Sequence, residues 1–265
     1  MKDRPFRLGT TSFIYPDHII PNVRKIGLFF DEMELLVFES SPGGVLPSRE
    51  DIRVLEQLSG ELSLSYNIHL PTDISLTDIS DSQQARAVDT LLTVIELFAP
   101  LNPTTYTLHL PMDRGTTPKD LVLWEERACR GLERLVPQLP DPGKISLETL
   151  WYAPAYLQPL VTEFDLSLCI DAGHHFKYGH DLRTTFELFR GKIPVVHLHG
   201  VDFSGPAPKD HIGLDKLPND MFYQTTDLLS TYEGVVSLEV FNLEKLNRSL
   251  VKLSTVFNNI PNSVI

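Results

Sequence analysis

The sequence predicts a single (β/α)8 TIM barrel over residues 1–265. Three observations lead there. Eight apolar, β-rich runs recur along the chain, and stretches with helical spacing separate them. Each strand-helix unit takes roughly thirty residues, the size of one βα repeat. The chain has 265 residues, close to the ~250 typical of the barrel, so little is left for a second domain. A doubly wound open sheet would favour a glycine-rich phosphate turn after the first strand. The segment LGTTSF has one glycine and no such pattern.

The strand candidates are FRLGTTS, MELLVFE, LSYNIHL, TYTLHL, KISLETL, LSLCIDA, PVVHLHG and VVSLEVF. Between them, SREDIRVLEQL starts at Ser48 with Asp51 three residues on, an approximate capping box. DSQQARAVDTLLTVIELFA carries an apolar stripe of Val88, Leu91, Leu92, Ile95 and Leu97 or Phe98. TPKDLVLWEERACRGLERLV has proline early in its first turn. NLEKLNRSLVKLSTVF repeats leucine at helical spacing.

Composition is that of an ordinary globular protein, 42% hydrophobic and 22% charged. A formal net charge of -12 disfavours broad nucleic-acid binding, because an acidic surface repels a phosphate backbone. Cys129 and Cys169 are the only cysteines and have no metal or redox spacing, as expected in a reducing cytoplasm. The start lacks a signal-type apolar core, and no apolar run is long enough to span a bilayer. The expectation is a cytoplasmic protein with a small-molecule partner and no membrane association.

In a barrel the C-terminal strand ends converge on one face. Here they are Glu39, His69, His109, Glu148, Asp171, His199 and Glu239. Only the first strand, ending near Thr10 to Ser12, lacks a group that binds metal or moves a proton. Singly, each has an ordinary explanation as a hydrogen-bonded or capping residue. Jointly, Glu148, Asp171 and Glu239 would repel one another without positive charge. A divalent metal supplies it, and histidine completes a mixed N/O shell. Within CIDAGHHFKYGHD, Asp171 at the strand end and His174 in the following loop are the ligand candidates, whereas His175 and His180 read as loop residues. In VVHLHGVD, His197 lies one layer deeper than His199 and reads as a core histidine, and Asp202 is placed to orient a ligand. His211 falls in a long loop, where ligand and solvated readings balance.

These residues resemble the AP-endonuclease and xylose-isomerase-like TIM-barrel superfamily, over nearly the whole chain. The resemblance matches Glu148 on the fifth strand, Asp171 with His174 after the sixth, His199 with Asp202 after the seventh, and Glu239 on the eighth. It implies two possible chemistries. Sugar isomerases and epimerases of the superfamily hold one metal between Glu, Asp, His and Glu. Its endonucleases add histidines on the third and fourth strands, matched by His69 and His109, and build clusters of up to three metals. The endonuclease pattern Asp-x-His is not met, because Lys209 stands two before His211 and Asp210 is adjacent. RLGTTSFIYPDHIIPNVRKI, ELLVFES and LPSREDIRVLEQL look most like the cobamide-remodelling phosphodiesterases.

That resemblance implies metal-assisted hydrolysis of the phosphoribosyl linkage in a cobamide, with one to three Zn²⁺, Mn²⁺ or Fe²⁺ ions. Glu148 would bridge two metals. His69 and His109 would complete one site and Asp171, His199 and Glu239 the other; whether His174 and His211 hold a third metal is left open by the departure from Asp-x-His. Glu148, Glu239 and His211 would carry the catalysis. Glu39 and Lys209 would meet substrate, the lysine at a phosphate. Tyr15, Phe38, Trp151, Phe176 and Phe203 lie near predicted strand ends, where core or rim packing is the usual role and lining of a corrin pocket the alternative. The alternative is a metal-dependent sugar or sugar-phosphate isomerase or epimerase. In it Glu148 and Glu239 exchange protons with carbon, and His69 and His109 only form hydrogen bonds. A non-catalytic corrinoid- or sugar-binding barrel ranks last, since it should have lost some ligands.

Overall fold

The computed structural model describes residues 1–40 and 46–264. Eight parallel strands close into a barrel. They are β1 (Arg7–Thr11), β2 (Glu32–Leu36), β3 (Ser65–His69), β4 (Tyr106–Leu108), β5 (Ile145–Glu148), β6 (Ser167–Asp171), β7 (Val195–Leu198) and β8 (Val235–Leu238). Neighbours in sequence are neighbours in the barrel, and β8 pairs with β1 to close it. Around it lie α1 (Ile19–Ile26), α2 (Arg49–Leu62), α3 (Asp81–Phe98), α4 (Pro118–Leu135), α5 (Gln158–Glu163), α6 (Ala172–Tyr178), α7 (Leu182–Leu188), α8 (Asn219–Leu229) and α9 (Leu243–Ser254).

Local chemistry sets these boundaries. The expected capping box forms at α2, where Ser48 Oγ accepts from the Asp51 N–H at 3.2 Å and Asp51 accepts from the Ser48 N–H at 2.8 Å. Thr117 and Asp120 repeat it at α4. Such caps contribute about 1 kcal/mol each. The α3 stripe buries Val88, Leu91, Ile95 and Phe98, while Leu92 and Leu97 stay half-buried at its margin. No helix of the described residues is long and apolar enough to cross a membrane.

Strand alternation divides the barrel into two chemical shells. Outward residues such as Leu8, Met33, Leu35, Tyr66, Ile68, Leu147, Ile170, Val196 and Leu238 join the helices in one apolar core. Inside, apolar side chains are few: Leu36, and a small cluster of Cys169, Val195 and Val235. The rest of the axis is polar. Contacts between non-adjacent strands prove the inward direction: His197 Nε2 of β7 lies 2.9 Å from Glu34 Oε1 of β2, and Ser237 Oγ of β8 donates to Glu34 Oε2 at 2.7 Å. At the N-terminal mouth, Glu32 is fully buried and accepts from Asn67, Ser65 and Thr104 at 2.7–2.8 Å, with the Arg7 guanidinium 3.0 Å away.

Three local expectations are corrected. Strand β2 stops at Leu36, so Glu39 lies exposed on the loop beyond it rather than at a strand end. His174 sits on a helix, α6, because Asp171 caps it by accepting from the His174 N–H at 2.7 Å. The long segment after β7 folds into an antiparallel ribbon, Gly200–Asp202 against Lys209–Ile212, which returns His211 to the barrel mouth.

Candidate functional site

The C-terminal mouth is assembled from strand ends. His69, Glu148 and Asp171 are the last residues of β3, β5 and β6, and His109, His199 and Glu239 follow β4, β7 and β8 directly. At each site the alternation that turns leucine or isoleucine outward turns the next residue inward. The His-Leu-Pro sequence ends both β3 and β4 here, since proline cannot extend a central ladder.

Glu148 is buried, and one of its oxygens, Oε2, meets His109 Nε2 at 2.8 Å and His69 Nε2 at 3.2 Å. Its other oxygen, Oε1, faces His174 Nδ1 at 3.6 Å. Asp171, fully buried, faces His199 Nε2 at 3.1 Å and His174 Nδ1 at 3.2 Å. Glu239 Oε2 lies 3.4 Å from His197 Nδ1 and 3.6 Å from His211 Nδ1, too far or too misaligned for a hydrogen bond. Candidate ligand atoms of Glu148, Asp171 and His174 all fall within 4.8 Å of one another, as do those of Asp171, His197 and Glu239, and those of His174, His199 and His211.

The electrostatics follow from this crowding. Burial alone would lower the His69 pKa, but the hydrogen bond and charge of Glu148, with Glu34 and Glu239 nearby, reverse that and push it up to about 9. Burial likewise opposes protonation of His199, and Asp171 then Glu239 overcome it, again to about 9. Burial would raise the carboxyl of Glu148, yet His109, His69 and His197 hold it well below the usual carboxylate range. Protons on histidine thus balance three converging carboxylates. Among the described residues no lysine or arginine pairs with Glu148, Asp171 or Glu239. Glu239 Oε2 is buried without a hydrogen-bond donor. Three carboxylates balanced only by exchangeable histidine protons, in a mixed N/O donor set with an orphaned carboxylate oxygen, fit a divalent cation.

Two backbone features hold the cluster. His211 has φ 48°, a left-handed conformation uncommon outside glycine. It places the ring 4.2 Å, centroid to centroid, from His199 and lets the His211 N–H donate to His199 Nδ1 at 3.1 Å. Gly173 gives the His199 ring its room: a Cβ there would lie 1.9 Å from His199 Cε1. Neither Gly173 nor its role was read from the sequence. AGHH offers only a small residue beside the ligand candidates.

Other expected residues fall outside the cluster. His175 is buried between the Asp171 carbonyl at 2.8 Å and Thr185 Oγ1 at 3.0 Å, and burial pushes it down to about 4. His180 faces the Trp151 carbonyl at 3.3 Å. Asp202 turns away from His199 and accepts from the Ser204 N–H at 2.8 Å, so it does not orient that ring. Lys209 and Phe203 are exposed on the ribbon, while Tyr15, Phe38, Trp151 and Phe176 are half-buried. His197 is fully buried one layer down, but faces Glu34 and Glu239 rather than apolar core. Glu34 was missed because MELLVFE was read toward its last residue. The alternation Glu32, Glu34 against Met33, Leu35 was the available signal.

Comparison with known proteins adds relatives of the same fold. The structure of a D-tagatose 3-epimerase-like protein superposes with TM-score 0.76 at 18% identity, covering 94% of this chain and 96% of that one. The 3-keto-D-glucoside 4-epimerase of E. coli superposes with TM-score 0.69 at 18% identity, covering 94% and 99%. The D-psicose 3-epimerase of Clostridium cellulolyticum H10 gives 0.63 at 14% identity, covering 96% and 91%. No curated protein matches the sequence. Residues 20–255 match the xylose isomerase-like TIM barrel family, and the chain belongs to it.

Proposed function

We propose that this protein is a metal-dependent isomerase or epimerase of a sugar or sugar phosphate. The reading rests on one observation above the others. Asp171 lies between two buried glutamates, Glu148 and Glu239, with candidate ligand atoms within 4.8 Å of those of each. Proton transfer to and from opposite faces of a carbon needs two such carboxylates.

The expectation of a phosphodiester hydrolase is withdrawn. Several of the structures that superpose over most of the chain are named as sugar epimerases or epimerase-like, at 94–97% coverage of this chain. The cobamide substrate, implied by the resemblance of three other segments, has no support among these structures. His69 and His109 then have the part the isomerase alternative assigned them: both hydrogen-bond the same Glu148 oxygen and fix that carboxylate.

Glu148, Asp171, His199 and Glu239 would hold the metal. When bound, a divalent cation such as Mn²⁺, Fe²⁺ or Zn²⁺ gathers neighbouring substrate oxygens and acidifies the C–H between them. Glu148 takes the proton from that carbon, and Glu239 returns one to the other face. Bonds to carbon otherwise stay intact, so no redox partner is needed. His174 and His211 close the rim and exclude water from the carboxylates.

The test is solvent exchange. Metal-stripped protein is reloaded with Mn²⁺, counted per chain, and incubated in D₂O with aldoses, ketoses, their phosphates and keto-sugar glycosides. One ion per chain and metal-dependent deuterium incorporation at a single carbon are expected. Exchange with no sugar under Mn²⁺, Co²⁺, Fe²⁺ and Zn²⁺ would overturn the reading.

A further inference from the structure

A second feature of the C-terminal face is a cleft of about 720 Å³ beside the carboxylate cluster. Its walls include Met112, Arg114, Trp151, Tyr152, Tyr156 and Tyr178, from the segments after β4 and β5 and the end of α6. It adjoins the candidate metal centre, since the Tyr178 ring packs 6.0 Å from the His174 ring and Trp151 lies three residues beyond Glu148. The volume lies within the 300–1,000 Å³ range of small-molecule sites, and it is additional to the space over the carboxylates.

We propose that this cleft is a second sugar-ring subsite, so that the substrate is a glycoside whose reacting ring, carrying the carbonyl that acidifies the C–H, sits at the carboxylates. This rests on the isomerase or epimerase reading above. Four aromatic rings, Trp151, Tyr152, Tyr156 and Tyr178, stand in its walls, and a pyranose ring presents apolar C–H faces that bury well against aromatic rings. Arg114 completes the slot. Its guanidinium lies 5.5 Å from the Trp151 ring and 5.7 Å from the Tyr178 ring, and donates to Tyr178 Oη at 3.2 Å. It is exposed and, among the described residues, pairs with no carboxylate, which leaves N–H donors free for sugar hydroxyls. Tyr156, 36% exposed, keeps its ring accessible. The Trp151 Nε1–H has no acceptor among the described residues. A free monosaccharide reaching the carboxylates would leave these rings wet.

The chain has two tryptophans, and only Trp151 lines the cleft. Trp124 is buried and its Nε1–H donates to the Pro111 carbonyl at 2.9 Å. Tryptophan emission therefore reads occupancy here without any turnover. The Mn²⁺-loaded chain is titrated with phenyl β-D-glucoside, cellobiose, D-glucose, D-fructose and D-glucose 6-phosphate. Expected are glycosides binding at least tenfold tighter than the free sugars, with an emission change that Trp151→Phe abolishes. Arg114→Ala and Tyr156→Ala, both at exposed positions, should remove the tenfold gain and leave free-sugar binding and metal content unchanged. Free-sugar binding with no glycoside gain, a gain that survives both variants, or a gain shown only by the phosphate sugar and lost only in Arg114→Ala would overturn the subsite alone. No binding of any sugar by protein that still takes up metal would remove both the subsite and the function it rests on.

Discussion

The two mouths of the barrel both bury carboxylates, and they treat them differently. At the N-terminal mouth Glu32 meets a guanidinium and three neutral donors, all within 3.0 Å. At the C-terminal mouth Glu148, Asp171 and Glu239 meet histidines and one another, and Glu239 Oε2 meets no donor. The first arrangement is electrically closed: both oxygens have donors and one cation answers one anion. The second is open, with more negative charge than its fixed partners supply. A satisfied buried charge supports structure, whereas an unsatisfied one is costly and persists where a ligand or reaction needs it.

The sharpest way to break this contrast is Glu148→Gln. It keeps the shape of the side chain but removes the charge that His69 and His109 share. Turnover should fall about 10²–10⁴-fold, the usual scale of a lost general base. Metal content should fall with it while the circular dichroism spectrum stays native. Normal metal content and normal turnover would show that Glu148 is as closed a structural group as Glu32.

Gly173→Ala tests the open mouth without touching a charge. The new Cβ would meet the His199 ring at 1.9 Å, and a ring cannot yield as a flexible chain end can. His199 must swing off Asp171, so metal affinity should drop about 10–100-fold, the scale seen when ligand orientation is lost. A titration with Mn²⁺ on the metal-free protein measures it.

Protons offer a third test. His69 and His199 are pushed to about 9, above the ~6.5 of an unfolded histidine. Their contribution to the stability of the metal-free protein is therefore complete below about pH 6.5 and is lost as pH rises through about 9. A metal held by His199 must displace the proton of that ring, so its affinity should climb over the same window. In EDTA the Tm should fall between pH 6.5 and 9, and with Mn²⁺ that fall should shrink. A metal-free Tm that rises with pH across this window would contradict the assigned charges.

Much of this was legible in the sequence, and the parts that were not share a physical cause. Strand ends such as SLETL and CIDAG announce themselves because a carboxylate in an apolar run needs compensation. Helices with a cap and a stripe, such as the one opening at Ser48, are equally plain. Glu34 was hidden because MELLVFE also ends in a glutamate, Glu39, and only the pleat decides which of the two faces inward. His211 was undecidable because an antiparallel ribbon, a non-local pairing, carries it back. Asp202 was misplaced for the same reason: spacing after a strand says nothing of which way a loop side chain turns. The hydrolase expectation rested on His69 and His109. Two histidines on one carboxylate oxygen are as consistent with holding a base as with holding a metal.

The mildest comparison pits Arg7 at the closed mouth against Lys209 at the open one. Arg7→Met leaves Glu32 buried with three neutral donors but no cation. Because the arginine side chain is 43% exposed, the loss should be about 2 kcal/mol rather than the 3–5 of a fully buried pair, with metal content and turnover unchanged. Lys209, like Glu39, is exposed and touches none of the three carboxylates at the open mouth. Lys209→Ala and Glu39→Ala should keep stability within about 0.5 kcal/mol, as exposed substitutions do. If either residue meets substrate from the rim, KM rises and kcat holds, because a contact made equally in ground and transition states alters binding alone. A fall in kcat with unchanged KM would instead draw these rim residues into the chemistry and enlarge the open mouth beyond its buried cluster.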